Sequence, residues 1–257
     1  MTPKRAHGFT LLELVLVMLI ASILAAMSTD VITLPVNSYL DLERRATLVN
    51  TAESTLNRMQ RDIRRALPNS IRISGGGTVL ELLHTTDGGY YRAQKASDGS
   101  GDLLDFTGLD TSFEVLGNLN AVPTGELVIY NLGIAGADAY IGDNRATLSN
   151  ASSINNLSFT AKQFPFPSPQ QRFFIVDTPI TYKCLGTQLL RYDSYAIATI
   201  PVLGVASLQA DKIAACHFSY NDGKAMRSGL ITLAITLTDS AGESVQLLQQ
   251  VHVDNAP

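Results

Sequence analysis

An apolar run from Gly8 to Thr29 constrains this chain more than any other feature. Its sequence is GFTLLELVLVMLIASILAAMST, and about 17 to 19 of these residues form a stretch long enough for a helix to span a bilayer. The run contains one acid, Glu13, close to its start. An isolated carboxylate in a membrane-spanning helix costs about 2.5 to 3.5 kcal/mol, so Glu13 is expected to have a functional partner.

The charges that flank the run predict its orientation. Lys4 and Arg5 precede it, and no basic residue follows before Arg44. Positively charged flanks favour the cytoplasmic side, so the leader is expected inside and the bulk of the chain outside. Ala26-Met27-Ser28 has the form of a signal-peptidase site, but the run is longer than the roughly 7 to 15 apolar residues of an ordinary signal peptide. A retained anchor is therefore predicted.

The start of the run, Gly8-Phe9-Thr10-Leu11-Leu12-Glu13-Leu14, resembles the type IV prepilin processing motif of pilins and of the pseudopilins of type II secretion. The resemblance implies that a prepilin peptidase cleaves between Gly8 and Phe9 on the cytoplasmic side and then N-methylates Phe9. It also implies that Glu13 pairs with the N-terminal amine of a neighbouring subunit. An isolated carboxylate in hydrocarbon favours such a partner. The alternative is an acid tolerated near the membrane interface.

The segment after the run has helical periodicity. Asp30 and Pro35 predict a kink or a loosened segment near residues 31–35, and Pro68 with Asn69 is expected to end the helix. Between them, apolar residues recur at steps of three and four: Val49, Ala52, Leu56, Met59, Ile63 and Leu67. Six arginines lie largely off this stripe: Arg44, Arg45, Arg58, Arg61, Arg64 and Arg65. Such a run is typical of a solvated face, and pairing with acids on adjacent subunits is the alternative.

The remainder of the chain, residues 69–257, has the period of two that predicts β-strands. The clearest pattern spans residues 229–253, where Ile231, Leu233, Ile235 and Leu237 alternate with Thr and Ala before a turn at residues 239–242, as in a half-buried antiparallel hairpin. Shorter strand-like runs occur at 79–83, 127–130, 154–161, 173–176 and 180–184. The Gly-rich polar segments 84–102 and 131–147 are expected to be surface loops.

These patterns predict an α+β protein in which a long N-terminal helix packs on a β-rich, mainly antiparallel head. The expected organisation is a leader peptide at 1–8, a transmembrane and assembly helix at 9–34, an amphipathic half of the same helix at 35–68, and a periplasmic or extracellular head at 69–257.

Cys184 and Cys216 are the two cysteines of the chain, and they lie in strand-like segments. If the head is exported, they are expected to form a disulfide, because exported proteins fold in an oxidising compartment. Two free buried thiols are the alternative.

Several classes of function are disfavoured by the sequence. Residues 68–257 contain eleven Lys or Arg against seventeen acids, a net charge of −6, which argues against a broad nucleic-acid-binding surface. Motifs of hydrolases, metalloproteases and nucleotide-binding enzymes are absent from the sequence, so no enzyme activity and no cofactor are expected.

Three groups of head residues have side chains that could carry chemistry. A dyad of Cys184 with His217 is disfavoured because both cysteines are better used in a disulfide. Asp138, Asp143 and Asn144 lack EF-hand spacing, so a solvated turn is preferred to a Ca²⁺ site. His84 and His252 are interpreted as strand residues rather than metal ligands. No metal is therefore expected.

Three further segments, residues 59–70, 128–133 and 250–255, resemble minor pilins of the mannose-sensitive haemagglutinin (MSHA) pilus. The resemblance implies a role in pilus assembly, in a tip or initiation complex, with other major and minor pilins, the inner-membrane assembly machinery and membrane lipid as partners. It places the protein first as a single-pass protein of the inner membrane and then in the pilus. The alternatives are a J-type minor pseudopilin of type II secretion and a membrane-tethered periplasmic enzyme or ligand-binding domain.

Overall fold

The computed structural model describes residues 8–222, 228–253 and 255, with the backbone alone described for residues 28–34. A single helix, α1, runs from Leu11 to Arg64 and contains Pro35. The sequence predicts a kink or a loosened segment near residues 31–35, and the structure has helical backbone on both sides of the proline. A proline removes one hydrogen bond from the helix. The turns on either side of it remain helical here.

Twelve strands follow α1 in the described part of the chain, and every pairing between them is antiparallel. The strands are β1 (Arg72–Ser74), β2 (Val79–Tyr91), β3 (Asp110–Leu116), β4 (Glu126–Ile129), β5 (Arg145–Thr147), β6 (Asn156–Lys162), β7 (Arg172–Leu185), β8 (Gln188–Tyr192), β9 (Ala206–Ala210), β10 (Ile213–Asn221), β11 (Gly229–Thr238) and β12 (Ser244–Val253). A short 3-10 helix, Gly75–Gly77, lies between β1 and β2.

The strands form two sheets. The nine-stranded sheet has the order β5-β4-β7-β2-β3-β6, with β1 paired to β2, β8 to β7 and β9 to β8. The second sheet has the order β10-β11-β12. By internal contacts the chain divides into two compact units, Met1–Thr47 and Leu48–Pro257. An N-terminal helix followed by a mainly antiparallel β domain confirms the predicted α+β class.

The part of α1 that belongs to the second unit packs its apolar stripe into the main core of that unit. Ala52, Leu56, Met59 and Ile63 are at most 3% exposed, and they share one cluster with Ile231, Leu233, Ile235 and Leu237 of β11. The predicted hairpin is confirmed, since β11 pairs with β12 from Gly229↔Val253 to Thr238↔Ser244. At the start of the stripe the buried residue is Leu48, and Val49 is only partly buried.

The helix ends at Arg64, four residues before Pro68. The reason is that the backbone after Arg64 forms hydrogen bonds with β2. Leu67 N donates to Leu83 O at 2.8 Å, and Thr85 N donates to Arg65 O at 2.8 Å. Hydrogen bonds to a strand thus replace the last helical turn that the sequence predicts.

The segment 131–147 is only in part the surface loop expected from its composition. Asn131 and Asn144 are 1% exposed and Tyr140 is 4% exposed. The Asn131 side chain donates to Pro68 O at 2.7 Å and accepts from Ala139 N at 2.9 Å. Polar side chains thus satisfy the backbone in the buried part of this irregular segment, while Ile134 and Ile141 remain exposed.

The predicted disulfide is present and joins the two sheets. Cys184 of β7 and Cys216 of β10 are bonded, with their Cα atoms 6.6 Å apart and a sequence separation of 32. Both residues pack against the core that receives the helix stripe. The bond therefore links the two sheets beside the main core.

Replacing both cysteines, Cys184→Ser with Cys216→Ser, is expected to lower the free energy of unfolding by about 3 to 4 kcal/mol. A disulfide between cysteines 32 residues apart lowers the conformational entropy of the unfolded chain, which stabilises the folded state by roughly that free energy. Urea unfolding of the oxidised protein and of the double variant measures the difference. A reducing agent should destabilise the unsubstituted protein and leave the double variant unchanged; equal sensitivity of both proteins to reductant would contradict the prediction.

Candidate processing and assembly site

The Gly8–Phe9 peptide bond lies before the first helical turn of α1 and is exposed. Residues 8–10 have no regular secondary structure, and Phe9 is 79% exposed. None of the described atoms lies within 4 Å of the place that a side chain at Gly8 would occupy. A peptide bond in this position is accessible to a protease without unwinding of the helix.

Thr10 caps the start of α1. Its Oγ1 accepts a hydrogen bond from Glu13 N at 3.3 Å, and its carbonyl accepts from Leu14 N at 3.2 Å. A threonine at the N-cap followed three residues later by a glutamate is the spacing of a capping box, and an acid in the first turn is favoured by the helix dipole. Sequence analysis missed this role of Thr10, although the T-x-x-E spacing was visible within the motif.

Glu13 is exposed, and its carboxylate forms no hydrogen bond or ion pair with any described residue. The contact at this position is made by the Glu13 backbone, through its N–H to Thr10. The carboxylate is thus left available for a partner outside the described chain. Lys4 and Arg5, the predicted leader charges, lie outside the described residues.

The described first part of α1 presents large apolar side chains to its surroundings in every direction. Leu11 is 82% exposed, Leu12 78% and Met18 65%, and similar exposure continues to Met27. Among the described residues, no helix meets the length and hydropathy needed to cross a membrane.

The other candidate residues of the head are engaged in local contacts. His84 Nδ1 lies 2.9 Å from Asp177 Oδ1, while Asp138 accepts from Tyr140 N and Asp143 from Gly136 N. His252 is an exposed residue of β12. Within the described ranges, no three His, Cys, Asp or Glu side chains are grouped as metal ligands. The structure does not bring these candidates together into one site.

A second group that sequence analysis missed is a polar cluster around Glu81 of β2. Arg72 Nη2 donates to Glu81 Oε2 at 2.6 Å, and Tyr195 OH donates to Glu81 Oε1 at 3.1 Å. Burial, reinforced by the Glu81 carboxylate, raises the pKa of Tyr195, so the phenol remains a donor. Arg72 also donates to the carbonyls of Ala198 and Thr199. The cluster binds the segment after β8 to the sheet. Its members are far apart in the sequence, so no local pattern predicts the cluster.

Comparison with known families shows that residues 3–29 match the prokaryotic N-terminal methylation motif. No curated protein and no solved structure shows significant similarity to the chain. The matched region contains the exposed Gly8–Phe9 bond, the Thr10 cap and Glu13. This motif implies processing by a prepilin peptidase and assembly with pilins, and it supports a type IV pilin-like protein.

Proposed function

We propose that this chain is a minor type IV pilin of the MSHA pilus, of the kind called MshO, acting in a tip or initiation complex. The observation that carries the proposal is the exposed Gly8–Phe9 bond, placed inside an N-terminal methylation motif and directly before a capped apolar helix. The head supplies interaction surface in this proposal and has no catalytic role.

In the proposed sequence of events, the apolar part of α1 first holds the subunit in the inner membrane, with the leader in the cytoplasm and the head in the periplasm. A prepilin peptidase hydrolyses the peptide bond between Gly8 and Phe9 and methylates the new amine of Phe9. Removal of the leader keeps the whole apolar helix on the mature subunit. The same exposed side chains then pack against the helices of other major and minor pilins as the assembly machinery adds subunits to the pilus.

Mapping the mature N-terminus tests the proposal. Co-expression with a prepilin peptidase is expected to yield a chain that begins at N-methylated Phe9, detected by mass spectrometry of the N-terminal peptide. Gly8→Val is the matched variant, because a β-branched residue beside the scissile bond should block cleavage and leave Met1 in place. An intact Met1 terminus in the unsubstituted protein, or cleavage after Ser28, would sink the proposal.

A J-type minor pseudopilin of type II secretion is the second candidate, because the methylation motif is compatible with both systems. Deleting the gene in its own host separates the two. Loss of MSHA pili with normal protein secretion supports the pilin, whereas loss of secretion with normal pili supports the pseudopilin.

A further inference from the structure

Three arginines at the C-terminal end of α1, together with Arg65 directly after it, have charges that are not balanced within the subunit. Arg58, Arg61, Arg64 and Arg65 are all exposed, and their side chains form no ion pair or hydrogen bond with the described residues. Together with Asp62 they line a surface groove of about 520 Å³. We call this surface the arginine face.

Asp62, the acid within the arginine face, is already used by the head. Its Oδ2 accepts from Arg191 Nε of β8 at 2.9 Å and from Tyr182 OH of β7 at 2.8 Å. The Arg191 side chain is 12% exposed and therefore depends on this pairing more than a surface arginine would. Asp62 thus serves the attachment of the helix to the sheet and leaves the four arginines uncompensated.

The spacing of the arginines makes the arginine face unfavourable for an isolated subunit. Arg58 and Arg61 are three residues apart, and Arg61 and Arg65 are four apart, so like charges are neighbours on the helix surface. The negative end of the helix dipole offsets part of this repulsion. An anionic partner would remove the rest.

The same chain carries a group of three acids of opposite charge, two of them exposed and one partly buried. Asp102, Asp105 and Asp110 lie between β2 and the start of β3, and we call them the aspartate loop. They accept hydrogen bonds from neutral donors: Ser112 Oγ to Asp102 at 2.6 Å, Thr107 N to Asp105 at 2.7 Å and Thr111 N to Asp110 at 2.7 Å. Among the described residues, none of the three forms an ion pair. Hydrogen bonds from Thr107 lower the pKa of Asp105, which keeps that carboxylate ionised.

We propose that the arginine face of one subunit binds the aspartate loop of a second copy of this chain. The two surfaces are different, so the contact is heterologous: one copy contributes its arginine face and the other its aspartate loop. This inference rests on the proposed pilin function. Exposed ion pairs are individually weak. In this inference, packing between the apolar helices brings the subunits together, and the charges determine how the two subunits are aligned along the helix axis.

Charge reversal in the full-length chain tests this contact. Tagged and untagged copies, co-expressed with a prepilin peptidase, are solubilised in detergent at low salt, and recovery of the untagged copy with the tagged one is measured. Arg61→Glu with Arg64→Glu in both copies is expected to reduce recovery at least fivefold. Asp102→Arg with Asp105→Arg in both copies should do the same. Pairing one copy of each double variant should restore recovery. The unsubstituted arginine face of one copy then meets the unsubstituted aspartate loop of the other, and the two reversed surfaces are also opposite in charge.

The matched control for the arginine variant is Lys183→Glu with Lys212→Glu, which lowers the net charge by the same amount at residues that belong to neither surface and should not alter recovery. Thermal melts of each variant check that the head remains folded. Unchanged recovery in the reversed variants, or a loss that the mixed pair does not restore, overturns the inference. Mapping the N-terminus of the same samples separates the outcomes: a chain cleaved after Gly8 without restoration disproves the contact alone, whereas an uncleaved chain disproves the pilin function.

Discussion

Glu13→Ala is expected to leave cleavage after Gly8 largely intact and to reduce incorporation of the subunit into pili at least tenfold. The Glu13 carboxylate has no hydrogen-bond or ion-pair partner among the described residues, although its backbone takes part in the cap at Thr10. The substitution therefore preserves the start of the helix, since alanine is a good helix former. It removes the group that meets the amine of a neighbouring subunit.

The expected loss of incorporation depends on the environment in which the Glu13 carboxylate meets the amine of the neighbouring subunit. Charges separated by about 4 Å attract each other by about 1 kcal/mol in water and by about 4 kcal/mol at an effective dielectric constant of 20. Among packed apolar helices the attraction is nearer the second value, so loss of one pair is expected to change incorporation by more than tenfold. Immunoblots of sheared pili, normalised to the membrane-bound pool, measure the ratio.

Glu53→Ala is the matched control, because it removes the same side chain from an exposed position of the same helix. It should leave both cleavage and incorporation unchanged. Glu13→Gln separates charge from shape and should resemble Glu13→Ala. Unaltered incorporation of Glu13→Ala would remove Glu13 from the proposed role.

Ile63→Asp is expected to destabilise the head by more than about 4 kcal/mol. Ile63 is fully buried in the core between α1 and β11. Truncating such a residue to alanine already costs about 2 to 5 kcal/mol, and an unpaired buried carboxylate adds its desolvation penalty. Since domains of this size are stable by about 5 to 15 kcal/mol, a loss of this size removes a large part of the stability, and the variant should unfold at a much lower urea concentration.

Urea unfolding of the detergent-solubilised full chain, followed by circular dichroism, measures this loss. Asn57→Asp is the control, because Asn57 is exposed on the same helix and should tolerate a carboxylate. Ile63→Ala should fall between the two. If Ile63→Asp unfolds cooperatively with the same urea midpoint as the unsubstituted protein, then the apolar stripe of α1 does not stabilise the head.

The sequence pattern predicts most reliably the helices and strands that bury one face and expose the other. The hairpin of β11 and β12 was predicted because strict alternation from Ile231 to Leu237 is what a half-buried strand requires. The helix stripe from Ala52 to Ile63 was predicted for the same reason at a period near 3.6. In both cases one face meets the core and the other does not.

The sequence failed where strand formation depends on a distant neighbour. The second half of β2, from Thr85 to Tyr91, is polar and Gly-rich and was predicted to be loop, yet it pairs with β7. Likewise β7 is one strand of 14 residues, although Pro179 divides its apolar pattern into two runs; this proline lies beside a register irregularity, where a missing N–H is tolerated. The polar cluster around Glu81 was hidden because its members are far apart in sequence.

The candidate site was predicted in outline, from the Gly8–Phe9 bond to Glu13. Its motif is contiguous, so no knowledge of the fold was needed to find it. The role of Thr10 depends on the residue at which α1 begins, and the continuous apolar run after Gly8 does not mark that residue. The disulfide between Cys184 and Cys216 followed from the number of cysteines and from the expectation of export.

The bond between Cys184 and Cys216 also has a mechanical consequence. A subunit under tension extends by about 3.3 to 3.6 Å for each residue that is drawn out of the fold. The cross-link closes a segment of 32 residues, which holds back about 100 Å of chain from extension. A force that unfolds the strands of this head can therefore not extend the chain between β7 and β10, because the disulfide joins them covalently.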